Sequence, residues 1–401
     1  MNLGEFHLIN TTCRLVKRYE KTLPANGLFR DKKYERGGGC QVDFQDIGVL
    51  VIAGGQSSRM GRDKRFLALD GCSMLERLLK KTVAIPFRER YLCGAEASEK
   101  LSALCSAYGL AFVADSRPAA GPLEGIRSGL EQLRADYALA VSCDMPLFAY
   151  EHLRPLLAAV NGELAIIPVV GGRRQSLAGL YHRQILPMVE RALEQGTNKI
   201  GQVIEQVPHK LVELADSDVF FNVNTPADFR LVQGRLLNER RPVPMITVSA
   251  PQSNTGKTTF IEKLIPHLKA QGLRVGVVKG DCHGYDVDEE GKDSWRFCQA
   301  GADGVAVVSP TGYFIQQRTE QRASLLAIAE RLTDVDVVLL ESRSHGTAPK
   351  ISLWRGLGKL VVDDDTVAVF SSGEHRDLSV RQYDLDDIAA AVRLVQFLCT
   401  R

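Results

Sequence analysis

Twice in this chain an apolar run of strand length passes, without a break, into a loop of glycines, hydroxyl side chains and cations. The first junction is Val51-Ile-Ala-Gly-Gly-Gln-Ser-Ser-Arg-Met-Gly-Arg-Asp-Lys64. The second follows the run Met245–Ser249 and reads Ala250-Pro-Gln-Ser-Asn-Thr-Gly-Lys-Thr-Thr259. Glycine lets a backbone approach a polyanion and turn its N–H groups toward it, and lysine or arginine supplies the countercharge. Folds that gather several strand ends along one edge place such loops where a ligand can meet them all. That means parallel strands joined by crossover helices.

The rest of the pattern agrees with that constraint. After Ile47–Ala53, β-rich runs recur at Ala111–Ala114, Ala138–Val141 and Ala165–Val170, with helical stretches such as Met74–Val83 and Leu123–Leu133 between them. Arg240-Arg-Pro-Val-Pro244 interrupts the alternation. A second series then starts with strand Met245–Ser249, helix Lys257–Gln271 and strand Val275–Val278. It continues to a buried strand at Val335–Leu340 and a last helix near Leu385–Leu398. The expectation is an α/β protein of two three-layer domains, a Rossmann-like one over 47–240 and a P-loop NTPase-like one over 245–401. Residues 241–244 would link them, and residues 1–46 form a weakly patterned extension with a flexible Gly37-Gly-Gly-Cys40.

Composition narrows the function. A chain of 401 residues with a net charge of +2 and no long run of like charge carries no electrostatic footprint for nucleic acid. The nine cysteines include no C-x-x-C pair, which argues against both a disulfide framework and a structural zinc site. The longest apolar stretches have strand length, far short of the roughly 20 residues a membrane helix needs, and no secretory signal opens the chain. The expectation is a cytoplasmic protein with no membrane or nucleic-acid partner.

In the first loop Gly54, Gly55 and Gly61 expose backbone N–H groups, Ser57 and Ser58 add hydroxyls, and Arg59 and Lys64 add cations. Displacement at phosphorus builds charge on the non-bridging oxygens, and cations placed there lower the barrier. Three further segments fall at strand ends. Asp115 precedes Gly121-Pro-Leu-Glu-Gly125, Asp144 follows Ala138–Val141, and Phe221-Asn-Val-Asn-Thr-Pro-Ala-Asp228 brings two amides and a carboxylate ahead of a helix. A strand-end aspartate can hold Mg²⁺ or cap a helix, and Thr225 with Pro226 suits a helix start.

These four segments, in this order, resemble the MobA-like molybdenum cofactor guanylyltransferases over roughly Ile47 to Arg240. The resemblance implies a nucleotidyltransferase that joins the terminal phosphate of molybdopterin, or of its molybdenum form, to the α-phosphorus of GTP with release of pyrophosphate. It implies GTP contacts from Ile52, Ala53, Gly54, Gly55, Lys64, Asp115 and Asp144, with Asp144 also holding Mg²⁺. Arg59 would stabilise the leaving pyrophosphate, and Gln175, Asn222 and Asn224 would contact the pterin or the metal. Cytidylyltransferase relatives tend to carry Ala-Ala-Gly where this chain has Ala53-Gly-Gly55. At Leu92-Cys-Gly-Ala95 the chain departs from the family, which often places a base-contacting Asn there.

The second loop has the strand–loop–helix context of a P-loop, with Gly256, Lys257 and Thr258 supplying close approach, a phosphate cation and a Mg²⁺-ligating hydroxyl. Pro251 stands where the motif's first glycine belongs, so that end must be built without an N–H. Glu341 ends Val335–Leu340, where a carboxylate for a nucleotide-bound metal sits in such folds. Together with Lys279-Gly-Asp-Cys-His283, Asp286, Asp288 and Asp293 the segment resembles the MobB-like adaptor domain over about 245–401. That resemblance implies GTP binding, with other cofactor-assembly proteins and apo-molybdoenzymes as partners. It departs after Glu341, where Ser-Arg-Ser-His replaces the family's usual Gly-Phe-Lys. The competing readings are a cytidylyltransferase or sugar-nucleotide pyrophosphorylase on the same fold, a cofactor-delivery module, and a P-loop ligase or ATPase.

Overall fold

A computed structural model describes residues 42–54, 63–117, 121–215, 218–252, 255–280, 289–342, 347–356, 358–373 and 379–400. Gly55 and Arg59 in the first loop, and His283, Asp286 and Asp288 in the second half, lie outside them.

The first half is built on an eight-stranded sheet. Its main strands are β1 Gly48–Ile52, β2 Glu89–Gly94, β3 Ala111–Ala114, β4 Tyr137–Ser142, β5 Ala165–Val170, β6 Leu180–His182 and β7 His209–Leu214. They lie in the order β7-β5-β6-β4-β1-β2-β3, with Arg173–Arg174 paired to β5. Strand β1 is buried along its whole length, and its alternate residues serve two cores. Val49 and Val51 join Leu75, Leu78 and Leu79 of helix α1 (Met74–Val83). Leu50 and Ile52 join Leu123, Ile126 and Leu130 of helix α3 (Pro122–Gln132), which follows helix α2 (Glu99–Tyr108), and Val189 of helix α4 (Leu186–Glu194) lies in the same core. A strand covered on both faces reads as a continuous apolar run, which is why this one stands out in the sequence. The expected all-parallel sheet is broken in two places, one of them the antiparallel pairing of Arg173–Arg174 with β5. Strand β6 runs antiparallel to both β4 and β5. At three residues it was too short to register as a period-2 pattern.

From β1 the chain steps outward to β2 and β3, then returns to place β4 on the other side of β1. The loops leaving β1 and β4 therefore diverge, and a crevice opens beyond their carboxyl ends.

The second half repeats the logic on a six-stranded parallel sheet. Its strands are β8 Met245–Ser249, β9 Val275–Lys279, β10 Val337–Glu341, β11 Lys350–Trp354, β12 Thr366–Ser371 and β13 Arg381–Asp384, in the order β9-β10-β8-β11-β12-β13. Ile246 and Val248 pack toward Phe260, Ile261 and Leu264 of helix α6 (Lys257–Ala270), while Met245 packs toward Val338 and Leu340. The chain again diverges on either side of the loop-bearing strand, here between β8 and β11.

Two expected boundaries differ from what is observed. Residues 42–46, placed in the extension, are part of the fold. Asp43 and Asp46 form a capping box, and the buried Phe44 ring meets Phe87 at 5.4 Å. Residues 241–244, expected as a linker, are tied down instead. Val243 is buried, Val338 N–H donates to the Pro244 carbonyl at 2.9 Å, and Arg241 donates to the Thr347 carbonyl at 2.6 Å. The helix before them, α5 (Pro226–Glu239), faces both ways. Val232 and Leu236 join Leu69, Met74, Leu147 and Val223, whereas Leu231 lies in the core of the second sheet. The last helix, α7 (Ile388–Cys399), packs on α5.

Candidate active site

At the crevice of the first sheet, the backbone first fixes the strand ends. Ala53 N–H donates to the Cys93 carbonyl at 2.8 Å, Cys143 N–H to the Ile52 carbonyl at 3.1 Å, and Asp115 N–H to the Gly94 carbonyl at 2.9 Å. Ladder bonding thus extends one residue beyond each strand, so that Gly54, Asp115 and Asp144 all follow strand ends at the same edge of the sheet. A Cβ on Gly54 would lie 3.4 Å from Asp115 Oδ2, so that carboxylate rests directly over the glycine backbone.

Lys64 is the convergence point. Its Nζ lies 2.8 Å from Asp144 Oδ2, 3.2 Å from Asn224 Oδ1 and 3.4 Å from the Val223 carbonyl. The other oxygen of Asp144 accepts from the Ser142 hydroxyl at 2.6 Å, and the Asp144 carbonyl accepts from Val223 N–H at 2.8 Å. The side chains of Lys64 and Asp144 remain 17% and 14% exposed, so the pair is shielded but reachable. Cys143, fully buried beside Asp144, is pushed up to about 12 by burial and by that carboxylate, and so stays a neutral thiol.

Two residues that the sequence reading missed support this cluster. Arg65 donates to the Ala53 carbonyl at 3.2 Å and pairs with Asp63 at 2.8 Å, pinning the return of the loop to the end of β1. Burial opposes the charge on Asp63, but the Arg65 bonds outweigh it and hold the carboxyl below its usual range. Lys81 donates to the carbonyls of Pro146 and Phe148 at 3.1 and 2.7 Å, bracing the turn after Asp144 from below. Desolvation lowers this ammonium to about 8. In sequence both are ordinary helix or loop cations; the fold distinguishes them, Arg65 by its reach back to the end of β1 and Lys81 by carbonyls 65 and 67 positions away.

Asp115 is pushed above the usual carboxylate range by burial and by the nearby Glu124. Glu124 is wholly buried in α3. Its Oε1 accepts from Arg127 Nε at 2.9 Å and from the Ser116 N–H and hydroxyl at 3.1 and 3.0 Å. Of the other expected contacts, Asn224 lies in the Lys64 cluster. Asn222 instead turns its amide onto the Phe220 carbonyl at 3.2 Å, because its neighbours cross the core. Gln175 directly follows the strand Arg173–Arg174, and its own backbone N–H bonds the Pro168 carbonyl at 2.8 Å.

In the second sheet Gly256 caps α6 with φ of 94°, a left-handed conformation that favours glycine. Thr258 Oγ1 lies 3.0 and 3.1 Å from the two oxygens of the buried Glu341, which ends β10 as expected. Lys257 is almost fully buried, with Nζ 3.5 Å from the Gln252 carbonyl. Arg355, unremarked in the sequence, follows β11 at the divergence and reaches the loop. Its Nε donates to the Thr255 carbonyl at 2.9 Å, and its Nη2 lies 3.1 Å from where a Cβ on Gly256 would stand. Asp293 is exposed and pairs with Arg296 of its own helix at 3.7 Å.

Two α/β sheets, each with a glycine-containing strand end at its point of divergence, and one with a lysine–aspartate–asparagine cluster there, fit a nucleotidyltransferase fold joined to a P-loop fold. Residues 49–211 match the family model of the MobA-like NTP transferase domain, and residues 245–372 match that of molybdopterin guanine dinucleotide synthesis protein B. The "probable molybdenum cofactor guanylyltransferase" of Bacillus cereus (strain G9842) is 29% identical over 195 residues, covering 47% of this chain and 97% of that protein. Among solved structures, molybdopterin-guanine dinucleotide biosynthesis protein A from Archaeoglobus fulgidus is 25% identical, covering 47% of this chain and 97% of its own, with a TM-score of 0.41. The MobB of Bacillus subtilis is 24% identical, covering 39% of this chain and 98% of its own, with a TM-score of 0.31. Among the described residues no helix is long and apolar enough to cross a membrane.

Proposed function

We propose that the first half, over about 47–240, transfers GMP from GTP to the terminal phosphate of molybdopterin, giving the dinucleotide cofactor and pyrophosphate. The observation that carries this reading is the cluster of Lys64 on Asp144, Asn224 and the Val223 carbonyl beside Gly54. A terminal phosphate oxygen of the pterin forms the new bond to the α-phosphorus, and the bond from that phosphorus to the bridging oxygen breaks. Pyrophosphate leaves with the electron pair. The attacking phosphate is already largely ionised at neutral pH, its second pKa being about 6. The site therefore needs no strong general base, and it offers cations and N–H donors instead. Lys64 neutralises phosphate charge, and the backbone at Ile52–Gly54 approaches the phosphates. Asp115 and Asn224 orient the nucleotide and the loop, and Arg59 would meet the leaving group.

The donors at Asp144 suit Mg²⁺, which takes one or two hard protein oxygens and completes its sphere with phosphate oxygens and water. When bound there it would neutralise charge developing on the transferred group. In the second half, over 245–401, Thr258 and Glu341 offer the same kind of oxygen donors beside Lys257, and support a second site for GTP with Mg²⁺. In this reading that half is an adaptor toward other cofactor-assembly proteins and apo-molybdoenzymes, in the cytoplasm.

The test is pyrophosphate release from GTP with and without molybdopterin, in the wild type, Lys64→Ala and Asp144→Ala. Release that requires the pterin, prefers GTP to CTP and falls by at least about a hundredfold in either variant is expected. Release indifferent to the pterin or to Asp144 would refute the reading.

A further inference from the structure

A continuous set of hydrogen bonds leads from the second sheet to the ammonium of the first site. Strand β13, at the edge of the second sheet, carries Arg381. Its Nη2 donates to Asp228 Oδ1 at 2.9 Å. The other oxygen of Asp228 accepts the backbone N–H groups of Asn224 and Thr225 at 3.1 and 3.0 Å, while Asp228 N–H donates back to the Thr225 hydroxyl at 3.1 Å. Asn224, held by its own N–H, presents Oδ1 to Lys64 Nζ at 3.2 Å. Burial opposes the charge on Asp228, but Arg381, the Thr225 hydroxyl and the Asn224 N–H together hold the carboxyl below its usual range.

The two ends are not equally replaceable. The capping box of Thr225 and Asp228 fixes one oxygen of the carboxylate from within the first half, as it would in a free-standing domain. Among the described residues the second oxygen is fixed by Arg381 alone, whose guanidinium also lies 5.6 Å from the centre of the Phe221 ring at the start of the same segment. Phe221 in turn meets Phe397 of α7 at 4.9 Å. The segment 221–225 is thus gripped by the second half at both its ring and its carboxylate, with Asp228 only 15% exposed.

We infer that Arg381 is a positioning residue for the first site: by fixing Asp228 and Phe221 it sets the Asn224 amide that holds Lys64, so that the second half completes the geometry of the first. This rests on the transferase reading above. The fusion of the two halves then has a physical consequence beyond tethering. The first half works at full rate only with β13 docked.

The experiment uses the full chain, with Arg381→Met, Arg381→Lys, Lys64→Ala and the double variant Arg381→Met with Lys64→Ala. Pterin-dependent pyrophosphate release is expected to lose about tenfold in kcat for Arg381→Met, the scale of one weakened charge-assisted hydrogen bond. Arg381→Lys should recover part of that loss. The loss should vanish in the Lys64→Ala background, because the effect passes through Lys64. A second readout needs no turnover: acylation of Lys64 by acetic anhydride, followed by mass spectrometry, should be severalfold faster in Arg381→Met. Additive losses in the double variant, or unchanged Lys64 labelling, would overturn the inference. Absence of pterin-dependent release in the wild type would overturn the transferase reading instead, and labelling alone would then decide this one.

Discussion

Removing Arg127 leaves a carboxylate inside the first half without its cation, and the cost can be worked from its surroundings. Glu124 is wholly buried and the Arg127 side chain is 7% exposed, so the pair is shielded from water although it is spaced i, i+3 on a helix. The surface value for such a pair, about 0.3–0.5 kcal/mol, therefore does not apply. Breaking a buried pair by deleting one partner costs about 3–5 kcal/mol. The magnitude of the Arg127→Met change should fall in that range. Glu124→Gln added to Arg127→Met keeps an acceptor for the Ser116 N–H and hydroxyl but removes the charge. That should bring the deficit down to about 1–2 kcal/mol, the cost of the Arg127 hydrogen bonds themselves.

The pH dependence follows with a definite sign. In the wild type, burial opposes the ionisation of Glu124, yet the bonds from Arg127 and Ser116 hold the carboxyl below 4.5. Its stabilisation is present above that pH and is lost as pH falls through the folded value. Without Arg127 burial prevails and the folded value rises above 4.5. Stability is then greatest in acid and is lost as pH rises through the raised value. The deficit of Arg127→Met should accordingly shrink between pH 7 and pH 5. Hydrogen exchange of the β1 and β2 amides, corrected for intrinsic rates, gives the opening free energy of this core at both pH values. A deficit below about 1 kcal/mol at pH 7, a deficit independent of pH, or no rescue by Glu124→Gln would show that the carboxylate is solvated and the reasoning wrong.

Other consequences can be checked as directly. On Gly234 in α5 a Cβ would lie 3.0 Å from Val367 Cγ1 and 3.1 Å from both Leu398 Cδ2 and Pro349 Cβ. Gly234→Ala should gain about 1 kcal/mol of helix propensity but lose more to overpacking, lowering the melting temperature measured by calorimetry. Lys81, lowered to about 8 in the fold, disfavours the protonated state there. Its contribution to stability should rise between about pH 8 and its ordinary 10.5, and Lys81→Met should flatten that slope in urea titrations. On the reading proposed above, Thr258→Val removes a hydroxyl that would help hold Mg²⁺, and it leaves Glu341 short of a donor. The number of Mg-GTP sites counted by isothermal titration calorimetry is expected to fall by one.

Much of this protein could be read from its sequence because the informative signals are local. A strand covered on both faces must be apolar throughout, so β1 and β8 announce themselves. Helices α1, α3 and α6 follow from their periodicity, and the loops after β1 and β8 carry their chemistry in consecutive residues. Asp115, Asp144 and Glu341 stand out because each closes an apolar run, and the structure places all three at the carboxyl ends of strands. Strand β6 went unseen because three residues hold too little pattern. The edge strand β13, Arg381-Gln-Tyr-Asp384, reads as polar loop because only alternate residues are partly buried. By itself, then, the sequence determined two α/β sheets, the place of a glycine-rich stretch after β1 and after β8, and the nucleotidyltransferase class of the first half. The tertiary structure decided which charges meet. Lys64 finds Asp144 and Asn224 across 80 and 160 positions, Arg355 reaches back to Thr255 across 100, and Arg381 reaches Asp228 across 153. Ion pairs and hydrogen bonds at such separations leave no periodic trace, since they depend on where the chain returns and not on what precedes or follows it.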